Sequence, residues 1–262
     1  MKSFTLPPAT HTNAFLLGSR ELLLIDPGSP IQQEQDKLLA YLQQSGSRVH
    51  EIWLTHQHPD HVDGVERLRG ELGVPVAAHR LTADACEFAV DRFIEDGEET
   101  TLNLGDGVRA HWVALHTPGH AAGHLCFFER ERKFLLTGDN VVSLSTVFIA
   151  PPEGNMIQYL QSLERLAELD ASFLFPGHGP PVATPTKKIR EYIDHRLARE
   201  AAILAAIDQP LEPIEIVRAV YASEPEAVYP LAELNVRAHL EKLVAEGSAR
   251  EENGRFLTSS PP

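Results

Sequence analysis

Apolar positions along this chain switch repeatedly between a period of two and a period near 3.6, so strands and helices alternate. Ala14–Leu17 and Leu22–Ile25 predict two strands joined by Gly18-Ser19, the second ended by Asp26-Pro27-Gly28. Ile31 to Gln44 predicts a helix closed by Gly46, and Val49–Thr55 a strand. A helix over Val62–Glu71, a strand over Val74–Ala78 and a helix over Thr82–Glu95 follow. An acidic, glycine-broken loop then runs from Glu95 to Gly107. Strands are predicted at Arg109–Leu115, Leu125–Glu129, Phe134–Thr137 and Phe173–Phe175. The helix predicted at Asn155–Leu169 carries Leu160, Leu163 and Leu166 on one stripe. Several neighbouring strands read as hairpins, which predicts a mixed sheet arrangement with outer helices rather than a purely parallel sheet.

The texture changes after Pro185. Lys187 to Ile207 predicts one long helix, and Ile214–Tyr221 and Leu231–Glu246 two more. Ser248–Glu252 and Arg255–Thr258 flank Asn253-Gly254, a hairpin signal. Three helices and a hairpin predict a small winged-helix-like domain over 187–262 behind a larger one over 1–186, and the length suits that division.

Charge changes the picture only by exclusion. The formal net charge is −14, with neither part basic, so polyanion binding is not expected. In the predicted recognition helix, Arg237 and Lys242 face Glu233, Glu241 and Glu246, which speaks against sequence-specific DNA reading. A lid, a pocket wall or a homodimer surface is the expected role of this domain. Two cysteines, Cys86 and Cys126, predict a reduced protein, Cys126 being a buried strand thiol. No signal-peptide core or membrane-length apolar run is present in the sequence, so cytoplasm is the expected location and no membrane partner is expected.

Chemistry concentrates at Thr55-His56-Gln57-His58-Pro59-Asp60-His61. With 13 His in 262 residues, chance yields H-x-H-x-D-H in roughly one such chain in a thousand. His56 and His58 leave an extended segment on one side and can share a metal, while Asp60 and His61, past a proline, can face a second. His120 in His116-Thr117-Pro118-Gly119-His120, Asp139 after Thr137-Gly138, and His178 in Pro176-Gly177-His178-Gly179 lie in similar turns after strands. Seven ligands suit two dications: His56, His58 and His120 on one, Asp60, His61 and His178 on the other, with Asp139 bridging.

This series, in this order and spacing, resembles the metallo-β-lactamase fold superfamily over about residues 10–185. The tail from Lys188-Ile189-Arg190-Glu191-Tyr192-Ile193-Asp194-His195-Arg196 resembles the lactamase-β-like protein two group, which adds a winged-helix-like domain. The resemblance implies an α/β (α+β) αββα sandwich with metals in a groove at one edge, and hydrolysis by a shared, metal-ionised water that Asp60 helps orient. Asp139 matches the bridging carboxylate of the glyoxalase-II-like and RNA-processing branches, where zinc β-lactamases usually have Cys or a non-ligand. His58 stands where flavodiiron proteins have Glu, and the full ligand set departs from the single-iron persulfide dioxygenases. The basic residues with which glyoxalase II holds glutathione are not found. The expected function is binuclear zinc hydrolysis of a thioester or other activated acyl ester of a small molecule, with iron or manganese as other metals. Endonucleolytic cleavage of single-stranded RNA is the alternative; β-lactam hydrolysis or a non-enzymatic binding module ranks lower.

Other polar residues receive plainer readings. His116 and His124 are expected to hydrogen-bond behind the ligands or to serve as structural hydrogen-bonding residues near the site. Asp26 reads as a turn residue behind the site, Thr55 as a brace of the motif loop, and Glu95 to Glu99 as a solvated acidic loop. His11, His50, His79, His111, His195 and His239 read as ordinary surface or core histidines.

Overall fold

The computed structural model describes residues 1–259, so the last three positions of the proposed 187–262 domain lie outside the described residues. Strands β1 (Phe15–Gly18) and β2 (Glu21–Ile25) lead into helix α1 (Gln32–Ser45) and strand β3 (Arg48–Trp53). Helices α2 (Pro59–Val62) and α3 (Val65–Leu72), strand β4 (Val76–Ala78), helix α4 (Arg80–Ala85) and strand β5 (Arg92–Phe93) complete the first half. The second half runs through β6 (Glu99–Gly105), β7 (Val108–His116), β8 (Leu125–Glu129), β9 (Phe134–Gly138), α5 (Met156–Ala167) and β10 (Phe173–Pro176). Helices α6 (Pro185–Ala206), α7 (Pro213–Val220) and α8 (Tyr229–Ala245) and the hairpin β11 (Ala249–Glu252) and β12 (Arg255–Thr258) form the tail.

Two five-stranded sheets stack face to face, ordered β1-β2-β3-β4-β5 and β10-β9-β8-β7-β6. In the first sheet only β1/β2 is antiparallel; in the second only β10/β9 is parallel. The two-residue strand period builds the layers directly. Leu23, Ile25 and Trp53 point into the space between the sheets, against Trp112, Ala114, Leu125 and Phe127. Their neighbours Leu22, Leu24, Ile52 and Leu54 point outward to α1 and α3. Across the molecule, Val113 and Leu115 pack under α5 and α6. The result is the expected mixed αββα sandwich. Phe127 is fully buried, its ring 5.2 Å from that of Trp53. Phe127→Ala is expected to lower stability by about 3–5 kcal/mol, seen as an earlier denaturant midpoint at an unchanged slope.

Two expectations about local structure are corrected. The helix expected over Thr82–Glu95 ends at Ala85. Cys86 is extended, and Arg92–Phe93 pairs in parallel with Ala77–Ala78 at the sheet edge. The Asp91 carboxylate accepts from the Val76 N–H and the Arg69 guanidinium, fixing that return. Sheet pairing thus ends the helix early, and Cys86, Phe88 and Val90, spaced at every second residue as in an extended segment, pack against the same outer core as Val65 and Leu68 of α3. The acidic loop expected from Glu95 to Gly107 contains β6, which pairs with β7 and buries Leu102 between the sheets while its alternate residues meet solvent.

In the tail, Ile203 and Ile207 of the α6 region join Ile216, Val236, Leu240 and Phe256 in a separate core. Ile189, Tyr192 and Ile193, from the first half of the same helix, belong to the core under the second sheet. A division at 186/187 therefore gives the tail a helix that serves both cores. Among the described residues, both cysteines are free and no helix is long and apolar enough to cross a membrane.

Candidate metal centre

Strands β2, β3, β7, β9 and β10 all end at one edge of the sandwich, and each end delivers a polar turn. The end of β3 carries Thr55 to His58, and α2 turns Asp60 and His61 back over it. His120 follows β7, Asp139 follows β9 and His178 follows β10. All seven proposed ligands meet there. Ligand atoms of His56, His58 and His120 lie within 4.8 Å of one another, as do those of Asp60, His61 and His178. A third such trio, His56, His61 and Asp139, takes one member from each group and adds the carboxylate, which places Asp139 between them.

The spacing fits cations. Nδ1 of His58 is 3.0 Å from Nε2 of both His56 and His120; nitrogens about 2.0–2.1 Å from one tetrahedral ion sit ~3.3 Å apart. Asp139 Oδ1 lies 3.4 Å from His61 Nε2, and Asp139 Oδ2 lies 3.2 Å from His178 Nε2. Asp60 Oδ2 is 3.2 Å from His178 Nε2 and 3.9 Å from His61 Nε2. His61 Nε2 and Asp139 Oδ1 are buried without a hydrogen-bond partner. Buried polar atoms are rarely left so, and two such atoms facing each other fit the donors of a metal site. The donor set of imidazoles and carboxylates accepts zinc, iron or manganese.

A second ring of contacts aims the imidazoles. His56 Nδ1 is 2.9 Å from Thr55 Oγ1, and Nδ1 of His120 and His178 donate to the Phe148 and His11 carbonyls at 2.8 and 2.9 Å. His61 Nδ1 donates to Asp26 Oδ2 at 2.9 Å. With Nδ1 so occupied, Nε2 is left facing the centre. Asp26 also accepts from Thr55 N–H at 2.7 Å and Thr55 Oγ1 at 2.6 Å. Its φ of +47° is a left-handed backbone conformation uncommon outside glycine. Asp26 is therefore a positioning residue, beyond the turn role read from Asp-Pro-Gly. The backbone here is tight: a Cβ on Gly177 would stand 2.4 Å from Asp139 Oδ1 and 2.9 Å from His61 Cε1.

His124 takes the expected place behind the ligands: its Nε2 accepts the Asp139 N–H and its Nδ1 lies 3.1 Å from Thr117 Oγ1. His116 takes the structural alternative: its Nε2 lies 2.9 Å from the Ala122 carbonyl, and its ring stacks on His79 with centroids 4.1 Å apart. Residues that the pattern did not single out also serve the site. Thr12 Oγ1 donates to Asp60, Asn13 holds the His178 loop through the Pro176 and Gly179 carbonyls, and Glu153 Oε1 lies 3.3 Å from His58 Nε2. None carries a local sequence signal, since their partners are far along the chain. The tail contributes too. Arg196 donates to the Val147 carbonyl, and Asn235 Oδ1 accepts from Ile149 N–H and Arg196 Nη1. They pin the loop whose Phe148 carbonyl orients His120.

Electrostatics divides the two halves. Burial, reinforced by neighbouring imidazoles, pushes His56 well below its ordinary pKa and His120 down to about 4, so both keep a free lone pair. At His178 burial also opposes protonation, but the carboxylates of Asp139 and Asp60 prevail and raise it to about 10. Asp139 resists its own burial because His61 and His178 hold its carboxyl well below the usual range. Protons on this half stand where cationic charge is wanted.

A cavity of about 710 Å³ opens over the cluster. His58, Asp60, His120, Asp139 and His178 reach it, and α6, α8 and the segment Phe4–Ala9 supply much of the remaining wall.

The metallo-beta-lactamase superfamily model matches residues 7–178, and a beta-lactamase-associated winged helix domain model matches 213–255. The beta-lactamase-like protein 2 homolog of Caenorhabditis elegans is 32% identical, over 94% of this chain and 82% of its own. Atrochrysone carboxyl ACP thioesterase of Aspergillus fumigatus is 31% identical, over 75% of this chain but 59% of its own. Among solved structures, the metallo-beta-lactamase family protein TTHA1429 of Thermus thermophilus superposes with a TM-score of 0.80 at 25% identity, covering 98% of this chain and 97% of that one. A di-iron-bound form of TTHA1623 superposes with a TM-score of 0.57 at 31% identity, covering 71% and 96%. The chain belongs to the metallo-beta-lactamase superfamily and carries the winged helix domain associated with it.

Proposed function

We propose that the protein is a binuclear metal-dependent hydrolase of a thioester or another activated acyl ester, with zinc as its first-choice metal. The observation that carries this reading is the pair of ligand trios joined at Asp139, under a cavity open to a small substrate. Two dications held by His56, His58 and His120, and by Asp60, His61 and His178, with Asp139 between, would lower the pKa of water and polarise a carbonyl. The chain's own residues do the rest. Thr12 fixes the Asp60 carboxylate, whose position beside His178 suits it to accept a hydrogen bond from the attacking water and hold its lone pair toward the acyl carbon. Phe4, Leu6, Val142, Val147 and Leu231 offer an apolar lining for the acyl body. A thiolate, the anion of an acid with pKa about 8.5, leaves without a dedicated proton donor. The resemblance to a protein named as an acyl carrier thioesterase supports this substrate class.

Single-stranded RNA is less well supported. The basic residues of α8 and the terminal hairpin are engaged: Arg237 with Glu233, Lys242 with Glu200 and Glu246, Arg250 with Glu252, and Arg255 with Glu212. A backbone reader needs such groups free for phosphates. Purified, metal-loaded protein should hydrolyse acyl thioesters, lose that activity to EDTA and regain it with zinc. Cleavage of labelled single-stranded RNA with thioesters left intact, or activity unchanged after thorough chelation, would overturn the reading.

A further inference from the structure

We infer that the α6 wall of the cavity binds an anionic group of the substrate, remote from the acyl carbon, and that Arg199 is the residue that selects for it. The inference deepens the hydrolase reading and rests on it only in taking the bound anion to be part of the substrate. His195, Arg196 and Arg199 are spaced i, i+1 and i+4, and all three line the cavity. The outer pair stacks on one helix face, with Arg196 three residues before Arg199. The chain is strongly acidic, yet this wall gathers two guanidiniums.

Neither guanidinium has a carboxylate partner among the described residues. Arg196 is 2% exposed, and its polar partners are the Val147 carbonyl and Asn235 Oδ1, with the Tyr159 ring 5.5 Å away. Its Nε is buried without a partner. A buried cation answered only by neutral oxygens leaves its charge uncompensated, and an anion nearby relieves that cost. Arg199 is half-buried and more accessible. Its guanidinium lies 3.9 Å from the centroid of Tyr221, and Nη1 donates to the Val220 carbonyl at 2.7 Å. Stacking holds the plane still, while Nε and Nη2 make no hydrogen bond to the described protein. A stacked guanidinium with free in-plane donors is suited to two oxygens of a carboxylate or phosphate. The opposing charges facing the cavity are Asp60 and Asp139, already matched by imidazoles, and Glu224 on this wall, which lies beyond ion-pair distance of both arginines. The His195 pKa is lowered by burial and by both guanidiniums, as expected beside a positive wall.

The anionic oxygens have two chemical sources, a second carboxylate on the acyl group or a phosphate on the thiol. Non-hydrolysable thioether analogues separate them: a neutral acyl chain on N-acetylcysteamine, the same chain ending in a carboxylate, and the neutral chain on phosphopantetheine. Calorimetry on the full-length, metal-loaded protein should find one anionic analogue bound about 10- to 100-fold tighter than the neutral one; which one names the source. Arg199→Gln should bring that ratio close to one, and Arg199→Lys should keep part of it. Equal binding of all three, no binding of any, or a ratio that survives Arg199→Gln in a protein with a normal thermal melt would overturn the inference. If Arg199→Gln does not fold, the wild-type ratio and Arg199→Lys still decide it. A preserved ratio with no cleavage of the matching thioesters would remove the hydrolase reading and leave the anion site standing.

Discussion

Asp139→Ala should leave the protein with no more than about one metal ion per chain and lower turnover about a thousandfold or more. The carboxylate is 13% exposed and faces His61 through Oδ1 and His178 through Oδ2. It is the one acidic group in the trio that draws a member from each half of the site. Removing one partner from a buried charge cluster costs roughly 3–5 kcal/mol, and each 1.36 kcal/mol of lost transition-state stabilisation is a factor of ten. The His124 contact to the Asp139 N–H survives the substitution, so the turn should keep its path. His58→Ala provides the contrast, because its nitrogen touches only His56 and His120 among the ligands. That variant should lose one ion and nearly all turnover while the Asp60, His61 and His178 half stays loaded. Elemental analysis with steady-state rates on both variants checks the assignment; two ions retained by either would refute it.

Asp26→Ala should lower metal affinity 10- to 100-fold without touching a ligand. The variant removes the acceptor that holds His61 Nδ1 and strands the Thr55 N–H and hydroxyl at a site with 2% exposure. Each orphaned buried group costs roughly 1–3 kcal/mol, so a lower melting temperature accompanies the lost affinity. Asp26→Asn separates the two effects. It keeps the shape and an acceptor for Thr55 but removes the charge and one of the oxygens that receive the His61 and Thr55 protons. Metal titration should place Asn between wild type and Ala in affinity, with a melt closer to wild type. Equal metal affinity in all three proteins would leave Asp26 as a turn residue and nothing more.

The proposed ligands were legible because each stands in a short glycine- or proline-bearing turn after an apolar strand, and the fold brings those strand ends to one edge. Asp26 stands in such a turn as well, but Asp-Pro-Gly explains itself as a turn, and only the approach of His61 and Thr55 exposes its second role. Thr12, Asn13 and Glu153 were illegible for a different reason: their partners lie 48 to 166 positions away or across a loop. The αββα layering follows from the strand and helix periods, whereas over 82–95 the every-second-residue apolar spacing of Cys86, Phe88 and Val90 already argues for extended chain, and a helix there is the wrong period. The edge strands β5 and β6 exist through pairing with their neighbours rather than through their own composition. Nothing in the sequence marks Arg199, because Tyr221, the ring it stacks on, lies 22 positions away on another element.

The loop at residues 147–149 connects the tail to the His56, His58 and His120 trio through a chain of three contacts, from Arg196 and Asn235 to the loop backbone and from Phe148 to His120. Grafting a foreign tail onto this sandwich would therefore retune the imidazole it steers, so the two modules have to be evolved, or engineered, as a matched set.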